Sequence, residues 1–508
     1  MRPNFLFIMA DQLAAPALSI YGDKIVKAPA IDALGAEGVV FENTYCNLPM
    51  CGPSRASLHA GRMPFSIGMH DNASEFMASI PTFAHYLRGL DYNVELSGKM
   101  HFVGADQLHG YNKRHTTEIY PANFAWTVDW SKGCKYRPTG LTMAPVIESG
   151  PCIRTLQMDY DDEVAYHGLQ AIYDLARRQN KDPWMLTVSF THPHSPFVIS
   201  DEFWDIYDHS KIPLPTVPPM GLKQMDHLSR NLHYCQGRDE CSLTDEHRRN
   251  AKHAYYGMIS YIDSKIAGLR HALERSGMAD DTIIILTADH GEMMGERGMW
   301  YKQHFFEWAS KVPLVMHAPK RWSARRVQKN ASLLDIMPTL LDLANGAQFT
   351  DYASPIDGQS LVPALYGKQD ELNDIVFAEF AADGSTGPSR MVKRGSFKFM
   401  DIEGVDYLLF DLSTDPNELN NLIDNPEYAA EASSLRAICE SVWDRQTMYN
   451  TIAKEQKKRL KIHEITGGEP SYVNVVRTDD ASRYIRNAGA AETKARARLP
   501  YVPPHNKE

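Results

Sequence analysis

Asn4-Phe5-Leu6-Phe7-Ile8-Met9-Ala10 is a run of strand length, apolar from Phe5 onward, that stops at Asp11. Thr282-Ile283-Ile284-Ile285-Leu286-Thr287-Ala288 stops in the same way at Asp289-His290-Gly291. Short continuous apolar runs suit strands buried on both faces, the kind found in parallel sheets. Two further runs fit the pattern: Trp184 to Phe190 leads into Thr191-His192-Pro193-His194, and Asn93 to Leu96 into Ser97-Gly98-Lys99-Met100-His101. Ile31 to Glu37, Ile80 to Leu90, Asp161 to Arg178, Asp245 to Ser276 and Ala331 to Ala344 have helical spacing. Strands alternating with helices predict a doubly wound α/β fold, a mostly parallel sheet with helices on both faces, where chemistry collects at the carboxyl ends of the strands. The four polar endings should therefore meet at one edge.

From about Asp374 the texture changes. Ile375 to Phe380, Ser389 to Lys393, Phe397 to Asp401 and Tyr407 to Asp411 read as short strands, and Arg394-Gly395 and Glu403-Gly404 as turns, which predicts a small antiparallel sheet. A helix over Glu427 to Lys458 follows Pro426, and the last fifty residues read as an extended tail. With 508 residues the chain exceeds the roughly 250–300 at which one core stops growing. The expected division is a large domain over 1–373, a smaller α+β subdomain over 374–460 and a tail over 461–508.

A hydrophobic content of 43% against 23% charged residues is that of a soluble globular protein with material for a sizeable core. The net charge of −10 and the lack of a long Lys/Arg run argue against a nucleic-acid partner, and an anionic ligand would need a locally positive pocket. The N-terminal apolar run is too short for a leader, and no stretch approaches the ~20 residues that span a bilayer, so a cytoplasmic protein with no membrane partner is expected. The seven cysteines are odd in number, scattered and without a CxxC pair, which suggests neither a disulfide framework nor a zinc knuckle.

Cys51-Gly52-Pro53-Ser54-Arg55, continuing to Gly61-Arg62, resembles the C-x-P-S-R signature of the type I, formylglycine-dependent sulfatases. The resemblance covers nearly the whole chain and implies an alkaline-phosphatase-like fold. It also implies that a formylglycine-generating or equivalent maturation enzyme oxidises Cys51 to an aldehyde whose hydrate is the nucleophile. Asp11, Gln12, Asp289 and His290, with position 51, would surround one divalent metal, Ca²⁺ first and Mg²⁺ or Mn²⁺ as options, since a hard cation takes oxygen ligands. The family usually has a second aspartate where this chain has Gln12, which removes a charge and keeps a carbonyl oxygen.

Hydrolysis of a sulfate monoester calls for fixed cations around the sulfate and a proton donor beside the leaving oxygen. The resemblance assigns Arg55 to orient the nucleophile, Lys99 and Lys302 to clamp sulfate oxygens, His194 to the leaving group, and His101 to take the proton in the step that frees sulfate. Within the family the similarity is to choline sulfatases, carried by stretches such as Asp71 to Phe76, Ser97 to Gly104, Asp106 to Gly110 and Ser482 to Asn487. It implies choline-O-sulfate or a related small ester as substrate, with Asn72, Trp126, Trp130 and Glu379 binding it, aromatic faces and a carboxylate being what a quaternary ammonium needs. It also implies a homodimer or homotetramer with the tail as an oligomerisation arm. A phosphonate monoester or phosphodiester hydrolase, an arylsulfatase or carbohydrate sulfatase, and a non-catalytic anion binder are the competing readings.

Overall fold

The N-terminal run forms β1 (Asn4–Ala10) inside a nine-stranded sheet of the computed structural model, which describes residues 2–120, 123–178, 182–441, 444–468 and 498–500. The other strands are β2 (Val39–Tyr45), β3 (Asn93–Gly98), β4 (Lys113–Arg114), β5 (Trp184–Phe190), β6 (Thr282–Ala288), β7 (Lys311–Val312), β8 (Leu314–His317) and β9 (Arg325–Ser332). Their order is β7-β2-β8-β6-β1-β5-β3-β4, with β9 also paired to β2. β6, β1, β5, β3 and β4 run parallel, while β8 lies antiparallel to both β6 and β2. Phe5, Leu6 and Phe7 are fully buried, as a strand covered on both faces requires.

Register levels the strand ends. Ala10 pairs with both Phe190 and Ala288, and Gly98 pairs with Ser189, so Asp11, Thr191, Asp289 and Lys99 all emerge at one edge. The helices include α1 (Pro29–Glu37), α2 (Cys51–Ala60), α3 (Phe83–Gly89), α4 (Leu156–Arg177), α5 (Asp245–Arg275) and α6 (Ile336–Asn345). α4 packs on β5 and β3 and against α5, and it comes close there because Gly168 has no side chain: a Cβ would meet Val188 at 3.2 Å and Leu269 at 3.3 Å.

The expected antiparallel sheet is β10 (Ile375–Phe380), β11 (Ser389–Arg394), β12 (Phe397–Ile402) and β13 (Asp406–Asp411), in that order. Alternation sends Ala378, Phe380, Met391 and Met400 into a cluster shared with Tyr45, Leu48 and Phe306 of the main body, and Val392, Phe399 and Leu409 to the other face. Leu435 of α7 (Ala429–Ser441) covers that second face. The helix expected over Glu427 to Lys458 is two helices, because Asp444 accepts a hydrogen bond from Thr447 N at 2.7 Å and starts α8 (Arg445–Ile465) afresh. Ala331 and Ser332, read as helical, end β9 on Thr44 and Tyr45; a reciprocal cap between Ser332 and Asp335 then turns the chain toward α6. The tail and Ser482 to Asn487 lie outside the described residues, apart from the end of α8 and residues 498–500. Among the described residues no helix is long and apolar enough to cross a membrane.

Candidate active site

Cys51 is the first residue of α2, so it sits at the positive end of the helix dipole, which favours an anion. The helix stops at Gly61, whose φ of +61° lets its N–H close back on Ser57 O. Arg55 follows Cys51 by four residues and so shares its face. Its guanidinium is fully buried and donates to Asp289 Oδ2 at 2.7 Å, to Lys99 O at 2.6 Å and to Ser189 Oγ at 2.8 Å. Arg55 Nη2 is buried with no hydrogen-bond partner among the described residues, an orphan donor beside the nucleophile position.

The polar strand endings close around Cys51. Its Sγ lies 3.2 Å from His290 Nε2, 3.7 Å from Asp11 Oδ1 and 3.6 Å from Lys302 Nζ. Lys99 Nζ pairs with Asp11, and Lys302 Nζ donates to Gln12 Oε1 at 2.6 Å and to His194 Nε2 at 2.9 Å. Burial pushes the Cys51 thiol up, but Lys302, Lys99 and His290 outweigh it and hold the group well below its ordinary value. Despite the chain's overall negative charge, the pocket favours an anion.

Asp11, Cys51, Asp289 and His290 present ligand atoms within 4.8 Å of one another. Two carboxylates, the Gln12 carbonyl and one imidazole make a mainly hard donor set, which fits a divalent cation such as Ca²⁺, Mg²⁺ or Mn²⁺. The Gln12 amide is oriented from both ends, since its oxygen accepts from Lys302 while its Nε2 donates to the buried carboxylate of Glu292. Burial raises the pKa of Glu292 to about 7, and its Oε1 accepts from Met294 N at 2.9 Å and Tyr301 N at 2.6 Å.

Gln12 (φ 66°), His101 (φ 59°), Tyr301 (φ 65°) and Gln303 (φ 83°) all hold left-handed backbone that side chains disfavour. Such conformations persist where surrounding structure over-determines them, often at functional sites. Here Glu292 holds Tyr301, while Glu118 Oε2 accepts from Met100 N at 2.8 Å and His101 N at 2.7 Å.

Above the charged floor opens a cavity with about 600 Å³ of empty volume, part of it solvent. Cys51, Asn72, His101, His194 and Lys302 line its base, with Tyr120, Trp126, Leu141 and Asp383 on the walls. Asn72 Oδ1 accepts from Gly52 N at 2.9 Å. The His101, Tyr120 and Trp126 rings form one group with centroids 5.6 to 6.2 Å apart. Two residues expected at the substrate, Trp130 and Glu379, are not among those that line this cavity. Trp130 stacks on Tyr449 at 5.0 Å and donates to Ser385 Oγ at 3.2 Å, and Glu379 accepts from Phe65 N at 2.9 Å beside Arg390. The carboxyl that does reach the cavity is Asp383, four residues on, bonded to Thr139 Oγ1 at 2.9 Å and raised to about 7 by burial. None of Asp383, Glu292 and Glu118 directly follows an apolar strand, the local signal that marked Asp11 and Asp289.

Residues 3–347 match the model of the sulfatase family, and 295–444 match that of the N-sulphoglucosamine sulphohydrolase C-terminal region. The chain is 37% identical to the choline-sulfatase of Rhizobium meliloti over 96% of each chain, and 27% identical to an arylsulfatase of Clostridium perfringens over 86% of this chain and 94% of that one. The phosphonate monoester hydrolase of Agrobacterium radiobacter superposes with a TM-score of 0.70 at 25% identity, over 87% of this chain and 95% of that one.

Proposed function

The chain belongs to the sulfatase family, and from that premise we propose that it hydrolyses the sulfate monoester of a small alcohol, choline-O-sulfate or a related ester, at a formylglycine made from Cys51. The observation that carries this reading is the gathering of Cys51, Lys302 and His194 in contact at the base of one pocket, over Asp11 and Asp289. The formylglycine hydrate would supply the attacking hydroxyl, and one divalent metal would help hold the sulfate and offset its charge. Maturation by a formylglycine-generating enzyme is part of the proposal.

The chain's own residues do the rest. Arg55, clamped by Asp289, Lys99 O and Ser189, keeps Nη2 free to bond the oxygen that maturation installs. Lys99 and Lys302 are fixed charges for the sulfate oxygens, placed before the reaction begins so that none of their ordering is charged to the barrier. His194 Nδ1 donates to Ser195 O at 2.7 Å, which leaves Nε2 to accept from Lys302 Nζ. The Lys302–His194 pair therefore carries the proton that the departing alkoxide needs. His101, fixed through its backbone by Glu118 and stacked on Tyr120, is the base for sulfate release.

The similarity to a choline-sulfatase and the wall of Trp126, Tyr120 and Asp383 support a cationic alcohol. An ammonium over the rings would gain cation–π attraction and keep Asp383 ionised. Turnover of choline-O-sulfate, nitrophenyl sulfate, and phosphodiester and phosphonate monoesters by the matured, metal-loaded enzyme tests the reading. Choline-O-sulfate should give the highest kcat/KM; a preference for the phosphorus esters would overturn it.

A further inference from the structure

α8 lies beyond the residues matched by both family models, yet one of its side chains bonds the neighbour of a cavity-lining residue. Ile452, Gln456 and Arg459 are the buried members of an otherwise polar helix, spaced four and three apart so that they share one stripe. Ile452 enters the core cluster that also holds Trp130, and Gln456 Oε1 accepts from Trp130 N at 3.4 Å. Arg459 forks onto Asp71, Nη1 to Oδ1 at 2.5 Å and Nη2 to Oδ2 at 2.8 Å. Both are almost fully buried, Arg459 at 5% and Asp71 at 1% exposure.

A buried ion pair is weak as a stabilising device, because the cost of desolvating two charges consumes much of the attraction. A two-bond fork does fix geometry. Asp71 Oδ1 also accepts from Ala73 N at 3.0 Å and Ser74 Oγ at 3.1 Å, so the carboxylate brackets Asn72 from both sides. Asn72 in turn lines the cavity and receives Gly52 N, the N–H next to the nucleophile. The links run without a gap from Arg459 through Asp71 and Asn72 to Gly52 and Cys51.

We propose that Arg459 is a positioning residue, which through Asp71 holds the Asn72 amide against the start of α2 and so sets the alignment of the nucleophile with the sulfate ester. The proposal rests on the sulfatase reading and extends the reacting assembly to a helix that neither family model covers.

A double-mutant cycle tests it: matured wild type, Arg459→Met, Asn72→Ala and the combination, with kcat and KM measured on nitrophenyl sulfate and melting followed by circular dichroism. Arg459→Met should lower kcat/KM by up to on the order of 10²-fold, the scale for a displacement of about 1 Å at a reacting centre. The loss should appear mostly in kcat and nearly vanish in the Asn72→Ala background, because coupled residues are not additive. Equal losses in both backgrounds, or none in either, would overturn the proposal. If Arg459→Met does not fold, the same cycle with Arg459→Lys, which keeps the charge and loses the fork, decides by the same criteria. An aryl sulfate keeps the inference separate from the choline reading: a wild type that hydrolyses only the aryl ester removes choline, whereas additive losses remove Arg459.

Discussion

Replacing Glu292 by Gln changes one oxygen to NH₂ and should uncouple the cation site. Oε1 of Glu292 serves Met294 N and Tyr301 N, and Oε2 serves Gln12 Nε2. A glutamine at this position can keep the first two bonds with its carbonyl, which leaves its NH₂ facing the NH₂ of Gln12. Gln12 must then turn its amide over, and its NH₂ meets Lys302 Nζ, which now donates to Gln12 Oε1 at 2.6 Å. Either arrangement sets a donor against a donor in a buried site, at a cost of about 1–3 kcal/mol. A partner behind a metal ligand is typically worth about 10–100-fold in affinity, or roughly 1.4–2.8 kcal/mol, so the two scales agree. Calorimetric titration of Ca²⁺ into chelator-treated wild type and Glu292→Gln should show Kd raised by that factor. The stabilisation conferred by a fixed excess of Ca²⁺, read from the melting temperature, should fall in parallel. An unchanged Kd with an unchanged gain in melting temperature would show that Gln12 does not depend on Glu292 for its orientation.

Cys51→Ala should abolish turnover while leaving sulfate-ester binding within about an order of magnitude, since Lys99, Lys302 and His194 remain; calorimetric binding checks it, and residual turnover above background would remove Cys51 as nucleophile. Asp383→Asn should raise KM for choline-O-sulfate by roughly tenfold, the value of one contact to a charged group, and leave KM for nitrophenyl sulfate little changed. The same variant has a stability signature: with its pKa raised to about 7 by burial, Asp383 holds a proton in the folded state that the unfolded chain has lost. Its contribution is thus present at low pH, declines as pH rises from about 4 to 7, and levels off above. The amide introduced by Asp383→Asn cannot titrate, so urea titrations across that window should show a flatter pH dependence, and an unaltered slope would contradict the assignment. Lys398 is fully buried and bridges Glu307 and Glu418 at 2.9 Å each where the small sheet meets the main body; Lys398→Met removes the cation between two buried carboxylates, of which Glu307 keeps Tyr45 and Lys311, and should cost about 3–5 kcal/mol by urea unfolding, with a loss under ~1 kcal/mol ruling the bridge out as a structural tie.

The central strands were legible because burial on both faces writes them as largely apolar runs, and the polar stretch that follows each run is where the chain leaves the sheet. That is why Asp11, Lys99, His194 and Asp289 could be read as neighbours although they are far apart in sequence. β8 and β9 were harder: β8 is apolar but only four residues long, and β9 is mostly polar, with its first half largely exposed, so neither gives a continuous apolar run of ordinary strand length. The wall residues were harder still. Resemblance pointed to Trp130 and Glu379, but lining a cavity depends on how a loop packs, and that packing turns Trp130 toward Tyr449 and brings Asp383 forward. Glu118, Glu292 and Arg459 act through bonds to backbone or to other side chains at distances in sequence that no local pattern encodes.

The level register of β1, β3, β5 and β6 bears on how such a protein can diverge. Deleting one residue from any of these strands would draw its ending back by about 3.3 Å and flip it to the opposite face, dismantling the floor at a stroke. Insertions near Trp126 or Asp383 disturb no ladder. A lineage built on this frame is free to remodel which alcohol it accepts by lengthening or trimming loops, while the spacing of residues within the strands is closed to it.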